Sequence, residues 1–230
     1  MKQIKRTLEI DPRFGEAWVY LALISENFRD QASKVPEYLK KAEGQRPREK
    51  ATQILLGTVY ASRENFRSAL RIYRRAVKIW RDDPELWYRL GTIQDRLKQF
   101  DETIYSMQRV IQLDPRFASA YNYMGYLFAE KGIRLEESLS LIEKALELEP
   151  ENAYFIDSLG WVYFKLGKVD DARRELERAV SLLEDPVILE HLGDVYYALG
   201  RKEDAMKEWQ KSLTLKADNA SLIQKIQKIE

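Results

Sequence analysis

The sequence contains no cysteine and only one histidine, His191, among its 230 residues. The absence of cysteine excludes disulfide bonds, thiolate metal ligands and thiol nucleophiles, and it fits a reducing cytoplasm as well as a periplasm. No run of about 18 apolar residues is present, so the sequence predicts no membrane span. Met1-Lys2-Gln3 is not followed by the apolar stretch of a signal peptide.

The sequence also lacks an excess of charge of one sign, with 38 lysines and arginines against 37 acids and a net charge of +1. This balance argues against nucleic-acid binding driven by bulk charge. The charges are unevenly distributed. Residues 1–115 hold 22 basic and 16 acidic residues, a net charge of +6, and the remaining residues hold 16 and 21, a net charge of −5. We therefore expect any electrostatic partner to be bound locally.

Groups for catalysis or metal binding are scarce as well. The single histidine has no recognisable Ser-His-Asp arrangement, and it stands among scattered carboxylates without the spacing of a calcium loop. We predict that the chain is not an enzyme, has no metal site and uses no cofactor, and that His191 is a packing residue. Gly132, Gly167 and Gly200 are predicted to lie in turns between helices, not in phosphate-binding loops.

What the sequence does contain is a repeat. A Leu-Gly or Met-Gly pair recurs at intervals of 34, 34, 35 and 33 residues. The pairs are Leu56-Gly57, Leu90-Gly91, Met124-Gly125, Leu159-Gly160 and Leu192-Gly193. A helical period near 34 residues is typical of stacked helix hairpins, none of which can bury its apolar face alone. The fold class predicted is all-α, a right-handed α-solenoid.

Each repeat is interpreted as a helix A, a short turn, a helix B and a closing turn that often contains proline. Six repeats are predicted, at 14–47, 48–82, 83–117, 118–152, 153–184 and 185–217. The glycines are expected to let helix A approach small residues of helix B, namely Ala69, Ala172 and Ala205. Large side chains near the start of helix A are expected to plug the core, and these are Trp18, Trp87, Tyr121, Ile156 and Leu189.

The two ends are interpreted differently from the repeats. Residues 1–13 match the ends of later repeats and are predicted to be half a repeat, so we expect a piece of a longer protein. Residues 218–230 are predicted to form an amphipathic capping helix with four apolar residues, Leu222, Ile223, Ile226 and Ile229. Residues 1–230 are thus predicted to be a single array. Pro12, Pro47, Pro115 and Pro150 are predicted to end helices, and Pro84 and Pro186 to begin them.

These features resemble the tetratricopeptide repeat family over essentially the whole chain. A narrower resemblance covers residues 120–213, where Tyr121 to Tyr126, Asp157 to Val162 and Glu190 to Val195 follow in order. This trio is similar to bacterial exported repeat lipoproteins. Some members of that group lie on the inner face of the outer membrane and deliver substrates to a carboxyl-terminal processing protease. The resemblance implies a periplasmic adaptor, with a cytoplasmic location as the alternative.

In this architecture helix A lines the concave groove. The predicted partner-binding residues project into the groove and are Tyr88, Asn122, Tyr126, Asp157, Trp161, Phe164, Glu190, Asp194 and Tyr197. The aromatic residues would hold a protein or peptide segment, and the acidic residues would steer one that has basic and apolar side chains. The alternative interpretation is that Trp161 and its neighbours pack against the adjacent repeat. A clamp for a terminal carboxylate is not expected, because the corresponding early positions carry residues such as Val19, Leu23 and Ile54.

A competing site is the densest cluster of positive charge. It lies along helix B of the second predicted repeat and contains Arg63, Arg67, Arg71, Arg74, Arg75, Lys78 and Arg81. This face could bind a nucleic acid, lipid headgroups or an acidic protein, or it could simply be a solvated helix surface. A third possibility is an oligomerisation unit formed by stacking of repeat ends.

Overall fold

A computed structural model describes residues 1–26, 28, 31–44 and 49–227, and this part of the chain confirms the predicted all-α class. It contains fourteen α-helices, one 3₁₀ turn at Ala32–Lys34 and no strand. The helices are α1 Lys2–Ile10, α2 Gly15–Glu26, α3 Val35–Gly44, α4 Lys50–Ser62, α5 Phe66–Ile79, α6 Pro84–Arg96, α7 Phe100–Leu113, α8 Ala118–Lys131, α9 Leu135–Leu148, α10 Ala153–Lys165, α11 Val169–Leu182, α12 Pro186–Ala198, α13 Lys202–Leu215 and α14 Ala220–Gln227. Pro47 and Ile229 lie outside the described residues.

The helices fall into two compact units, Met1–Asp114 and Pro115–Glu230. In the first unit the hairpins are α2 with α3, α4 with α5, and α6 with α7. In the second unit they are α8 with α9, α10 with α11, and α12 with α13. Each of the six predicted repeats holds one hairpin, with its helix A first. The exact repeat boundaries and the single continuous array stay predictions.

The predicted turn residues have the conformations that the turns require. Pro84 and Pro186 begin α6 and α12, where the backbone N–H that proline lacks has no partner within the helix. Gly132, Gly167 and Gly200 have positive φ angles of 64°, 76° and 75°. This left-handed conformation strains any residue that has a Cβ atom. Two earlier turns use a non-glycine residue in it, Glu64 and Lys98.

The nearest neighbour of each crossing glycine is a large residue of helix B, although the expected small residue Ala172 also lies close to Gly160, its backbone oxygen 3.2 Å from where a Cβ atom would be. A Cβ atom at each glycine would lie within about 2.3–2.6 Å of a bulky side chain. The pairs are Gly57 with Tyr73, Gly91 with Met107, Gly125 with Ile142, Gly160 with Leu176, and Gly193 with Trp209. The glycine therefore makes room for the bulky residue, which in each repeat is fully or almost fully buried. Ala69, Ala172 and Ala205 are themselves completely buried.

The predicted core plugs are of two kinds. Ile156 and Leu189 are completely buried, as expected. Trp18, Trp87 and Tyr121 are only half-buried, but each packs against a core cluster, as expected. Each of these three donates a hydrogen bond from its ring N–H or hydroxyl to the carbonyl oxygen six residues earlier, at distances of 2.8, 2.8 and 3.3 Å. These hydrogen bonds connect the start of helix A to the preceding turn. They form because a polar ring atom needs a hydrogen-bond partner when it leaves water.

The terminal helices pack on their neighbours by few residues. Leu8 is the buried residue of α1. In α14 the side chains of Leu222 and Ile226 are buried, and Ile223 is partly exposed. Leu222 and Ile226 join a core cluster that contains Leu192, Val195 and Trp209, as expected for a helix that covers the last hairpin. Within the described ranges, no helix is both long enough and apolar enough to cross a membrane.

Candidate functional site

Eight of the nine predicted partner-binding residues lie in the second unit, on three consecutive helices A. We call this surface the helix-A line. It consists of the residues three before and one after each crossing glycine, together with two aromatic residues further along. These are Asn122 and Tyr126 on α8, Asp157, Trp161 and Phe164 on α10, and Glu190, Asp194 and Tyr197 on α12. The ninth residue, Tyr88, lies on α6 of the first unit and is half-buried.

The centre of the helix-A line is a stack of rings with acidic partners. Trp161 and His191 stack with their ring centroids 4.0 Å apart and their planes 14° apart. Nε1 of Trp161 donates to Oε1 of Glu130 over 2.5 Å, which joins α10 to α8. Nδ1 of His191 lies 2.8 Å from Oδ1 of Asp157, which joins α12 to α10. The three helices A are therefore connected by polar contacts as well as by packing.

Burial changes the interpretation of the two central residues. Trp161 is only 7% exposed and Asp157 only 5%. The expectation that they project into an open groove is wrong, because neighbouring helices A cover them. A carboxylate can be buried in this way when it has a close hydrogen-bonding partner, and His191 supplies one. His191 is itself buried, in agreement with its predicted role in packing.

The acidic pair on α12 is occupied by the last helix. Nζ of Lys225 on α14 lies 2.8 Å from Oε1 of Glu190 and 2.7 Å from Oδ2 of Asp194. Asn219 donates a further hydrogen bond to Oε2 of Glu190 over 2.8 Å. Asp194 also accepts from Nε1 of Trp209 over 3.1 Å. Both carboxylates therefore have internal partners, so their predicted steering role is limited to long-range attraction.

What remains accessible on the helix-A line is mainly aromatic. Tyr197 is 46% exposed, and its ring centroid lies 5.7 Å from that of Trp209. Phe164 and Tyr126 are partly exposed, and Phe164 packs on Trp161 with a centroid distance of 5.3 Å. Beside them, Oδ1 of Asn122 is buried and has no hydrogen-bond partner in the described part of the chain. The three rings form an apolar surface, and the unsatisfied oxygen of Asn122 is buried beside it.

Burial and charge shift several pKa values in this region. Burial of His191 opposes its protonation, but Asp157, with smaller contributions from Asp194 and Glu130, outweighs burial and raises the pKa of His191. Burial raises the pKa of the Asp194 carboxyl in spite of Lys225. Burial would lower the pKa of Lys225, but the two carboxylates that bind it raise this pKa instead.

We predict that the second unit loses stability as the pH rises through the folded-state pKa of His191. The pKa in the folded state is raised above the ordinary value of 6.5. The stabilisation is therefore complete below 6.5 and is lost at higher pH, at no more than about 1.4 kcal/mol per pH unit. Urea unfolding measured from pH 6 to pH 9 tests this. His191→Gln keeps a donor for Asp157 but does not titrate, so it should flatten the profile. An equally steep profile in that variant would contradict the prediction.

The basic cluster lies in the first unit and is partly neutralised. Arg63 forms an ion pair with Glu26, and Arg71 pairs with Glu43 over 2.8 Å. Arg75 donates to Gln53 over 2.9 Å, and Arg74 donates to Gln99 over 3.3 Å. Arg81 donates to the backbone carbonyl of Lys78 over 3.2 Å. Arg67 and Lys78 are exposed, as are the other cations of the cluster except Arg75, which is half-buried.

Sequence reasoning missed the partners that hold the helix-A line together, namely Glu130, Lys225 and Trp209. A signal for two of them was present. Glu130 precedes Trp161 by 31 residues, and Asp194 precedes Lys225 by 31 residues. This offset is slightly shorter than one repeat, and in both pairs it joins a helix A to the next helix that packs beside it. A search for acids and donors at that spacing would have found both pairs.

Over the described residues, no group of three or more histidine, aspartate and glutamate side chains could hold a metal ion.

Three family models described as tetratricopeptide repeat match residues 50–93, 84–117 and 158–220, together more than half of the chain. The repeat arrangement found in both units agrees with these matches. The chain belongs to the tetratricopeptide repeat family.

Among curated proteins, TPR repeat-containing protein PA4667 of Pseudomonas aeruginosa is 27% identical over 157 residues, which cover 67% of this chain and 26% of that protein. The chain thus spans about a quarter of the length of the curated relatives it matches. Among solved structures, the protein TTC0263 of Thermus thermophilus matches with a TM-score of 0.69 at 24% identity, over 78% of this chain and 98% of that one. A chain of the APC/C hetero-tetramer Cut9-Hcn1 matches with a TM-score of 0.74 at 17% identity, over 97% of this chain and 44% of that one. These structures share the solenoid fold of the family.

Proposed function

We propose that this chain is a non-enzymatic scaffold or adaptor that binds a protein or peptide segment along the helix-A line of its second unit. The observation that supports this most strongly is the exposure of Tyr126, Phe164 and Tyr197 beside a buried network that fixes the helices carrying them. Tetratricopeptide repeat proteins typically act as scaffolds for other proteins. Aromatic rings on a rigid surface bind well, because little conformational entropy is lost on association.

The chemistry of the helix-A line favours a partner segment with apolar and basic side chains. The rings offer apolar area, and the net charge of −5 in the second half attracts basic residues over distance. Trp161 and Asp157 support this surface from beneath and do not contact the partner.

The adaptor role includes delivery of a partner to a periplasmic protease or to a complex of the bacterial envelope. It rests on the resemblance of residues 120–213 to exported repeat lipoproteins, and the match to a repeat protein of Pseudomonas aeruginosa fits a bacterial setting. Assembly into larger complexes is a property of some proteins of this fold, such as the hetero-tetramer Cut9-Hcn1. Location on the periplasmic side is part of this proposal.

Affinity capture from the source cells with the full chain tests the site. Tyr197→Ala combined with Phe164→Ala should reduce the captured partner by about tenfold or more, because each removes an aromatic contact. Tyr20→Ala, a tyrosine of similar exposure on α2, is the matched control. Circular dichroism must show that all three chains are folded. Full capture by the double variant would refute the site, and recovery of a periplasmic protease would support the adaptor role.

The basic cluster is the second candidate site, because the exposed Arg67 and Lys78 stand on the same helix as Arg71 and Arg74. An anionic partner bound there, either a nucleic acid or a lipid headgroup, would be released by salt. Capture at low and high salt separates the two sites, since apolar contacts resist salt. Use of the chain as an oligomerisation module is the remaining alternative, and sedimentation of the purified chain tests it.

A further inference from the structure

The inter-repeat turns of the second unit carry a second group of exposed apolar side chains, beside the helix-A line. We call this group the turn edge. Its members are Tyr154, 53% exposed, Leu182, 48%, Leu183, 37%, Val187, 46%, and Leu215, 54%. They stand at the starts of helices A and at the ends of helices B. Exposed apolar residues are common singly, but five on one edge call for a partner.

Buried neighbours show that these residues share one edge. Ala153, Ile156, Ala179 and Ile188 form one core cluster, so the start of α10, the end of α11 and the start of α12 meet there. Tyr154 follows Ala153, and Val187 precedes Ile188. The last turn of α13 joins them, because Oγ of Ser212 donates to the carbonyl oxygen of Pro186 over 2.7 Å. Leu215 lies one turn beyond this serine.

Two of the apolar residues replace acids found at the same places in other repeats. Leu183 is the residue that ends α11, a place taken by Asp114 after α7 and by Glu149 after α9. Val187 follows the first proline of α12, and Glu85 follows the first proline of α6. The packing of the repeats therefore does not require an apolar residue at either place. Their apolar character is available for contact with another molecule.

Charges around the turn edge decide which kind of partner fits. Glu151 and Glu184 are exposed beside it between α10 and α12, and Lys216 is exposed beside Leu215 at its far end. Glu149, Pro150, Glu151 and Asn152 line a depression of about 590 Å³ at the start of α10. The nearby Arg178 is already engaged, since it donates to the carbonyl oxygen of Pro150. An acidic rim repels anionic lipid headgroups, and it repels the same rim of a second copy across a two-fold axis. It attracts lysine and arginine.

We propose that the turn edge is a second interaction surface, which binds an amphipathic segment of a partner protein with apolar side chains on one face and basic side chains beside them. The apolar face of the segment covers the five exposed residues, and its basic residues contact Glu151 and Glu184. The turn edge adjoins the helix-A line, because Tyr154 and Val187 each lie three residues before a helix-A line residue on the same helix face.

The test uses the full chain and a synthetic helical peptide with leucines along one face and lysines on both flanks. A scrambled peptide and one with glutamates in place of the lysines are the controls. We expect binding of the lysine peptide alone, with protection from hydrogen exchange at the start of α10 and from Leu182 to Val187. Equal binding of the scrambled peptide, or protection confined to other surfaces, would overturn the proposal.

Variants taken from the other repeats make the test specific. Leu183→Asp with Val187→Glu introduces residues that the fold already accepts at these places, so the chain should stay folded. The double variant should bind the lysine peptide about tenfold more weakly or worse. Ile133→Glu, on an exposed apolar residue in the turn between α8 and α9, should bind normally. Unchanged affinity of the double variant would overturn the proposal.

Two further measurements test whether a second copy of the chain or an anionic lipid surface binds to the turn edge instead. Sedimentation of the wild type that shows a dimer, together with a monomeric double variant, would assign the edge to a second copy and refute a basic partner. Binding of the wild type to vesicles of anionic lipid, if lost in the double variant, would also refute a basic protein partner. A monomeric wild type that ignores such vesicles and binds the lysine peptide supports the proposal.

Discussion

Trp161→Ala should lower the free energy of unfolding of the second unit by about 3–5 kcal/mol, as is usual when a buried tryptophan is truncated. Three contacts are lost together. The ring stacks on His191, its Nε1 donates to Glu130, and Nζ of Lys165 lies 4.4 Å from the ring centroid. Glu130 loses the indole donor but is itself exposed to water. Urea unfolding followed by circular dichroism measures the change.

Trp161→Phe is the matched control, because it keeps a ring against His191 and removes the hydrogen bond to Glu130. We expect it to cost about 0.5–1.5 kcal/mol, the net contribution of one hydrogen bond, because Glu130 is exposed and water can replace the indole donor. Hydrogen exchange should locate the added fluctuations in α10 and α12. A Trp161→Ala chain that keeps its stability within about 0.5 kcal/mol, the range of surface substitutions, would contradict the packing role. If that chain also lost its partner, Trp161 would be a binding residue after all.

The fold was predictable because the repeat constrains every level of the structure. A glycine at a period near 34 residues, with proline and glycine at fixed places between, leaves the helix hairpin as the one local structure that satisfies all of them. Pro84 and Gly167 illustrate this, since each has a conformation suited to its turn. The fold class could therefore be predicted from the sequence without any knowledge of the side-chain contacts.

The contacts of the crossing glycines were less predictable. Periodicity shows which residues recur, and it indicates the face of a helix, but it does not say which of two neighbours on that face meets the partner helix. Both Ala172 and Leu176 of α11 are completely buried, and it is the Leu176 side chain that comes closest to Gly160. The two residues lie one helical turn apart, so a small error in the crossing point exchanges them.

The sequence indicated which positions of helix A belong to the candidate site, but it did not indicate which of their side chains are exposed. The rule for which residues of helix A face the groove found Asn122, Tyr126 and Tyr197, but it assumed that nothing lies above the central ones. Trp161 and Asp157 are covered by partners from the next or the preceding repeat. Such contacts depend on the distance between successive helices A, which no single repeat encodes.

The final prediction concerns Gly193 and Trp209, where the direction of a mutational effect should reverse. A Cβ atom on Gly193 would lie 2.3 Å from Cδ1 of Trp209 and 2.4 Å from its Nε1. The indole cannot simply turn away, because Nε1 donates to Asp194 over 3.1 Å and the ring is almost completely buried. Gly193→Ala should therefore cost about 1–3 kcal/mol, the range for overpacking a core.

Trp209→Ala alone should cost about 3–5 kcal/mol, because it opens a cavity between α12 and α13 and leaves Asp194 without the indole donor. In that background, Gly193→Ala no longer meets the indole. It should then stabilise the chain by up to about 1 kcal/mol, since alanine is a better helix former than glycine. Urea unfolding of the four chains gives the coupling energy, which we expect to exceed about 1 kcal/mol.

A suitable control is Gly200→Ala, since a Cβ atom there meets no atom within 4 Å but the residue has a φ angle of 75°. Its cost of about 1 kcal/mol should come from backbone strain alone and should not change with Trp209. Additive effects of Gly193→Ala and Trp209→Ala would show that the glycine is needed for the helix backbone and not for the indole. Reversal of the sign at Gly193, with none at Gly200, would establish that Gly193 is needed to admit the Trp209 side chain.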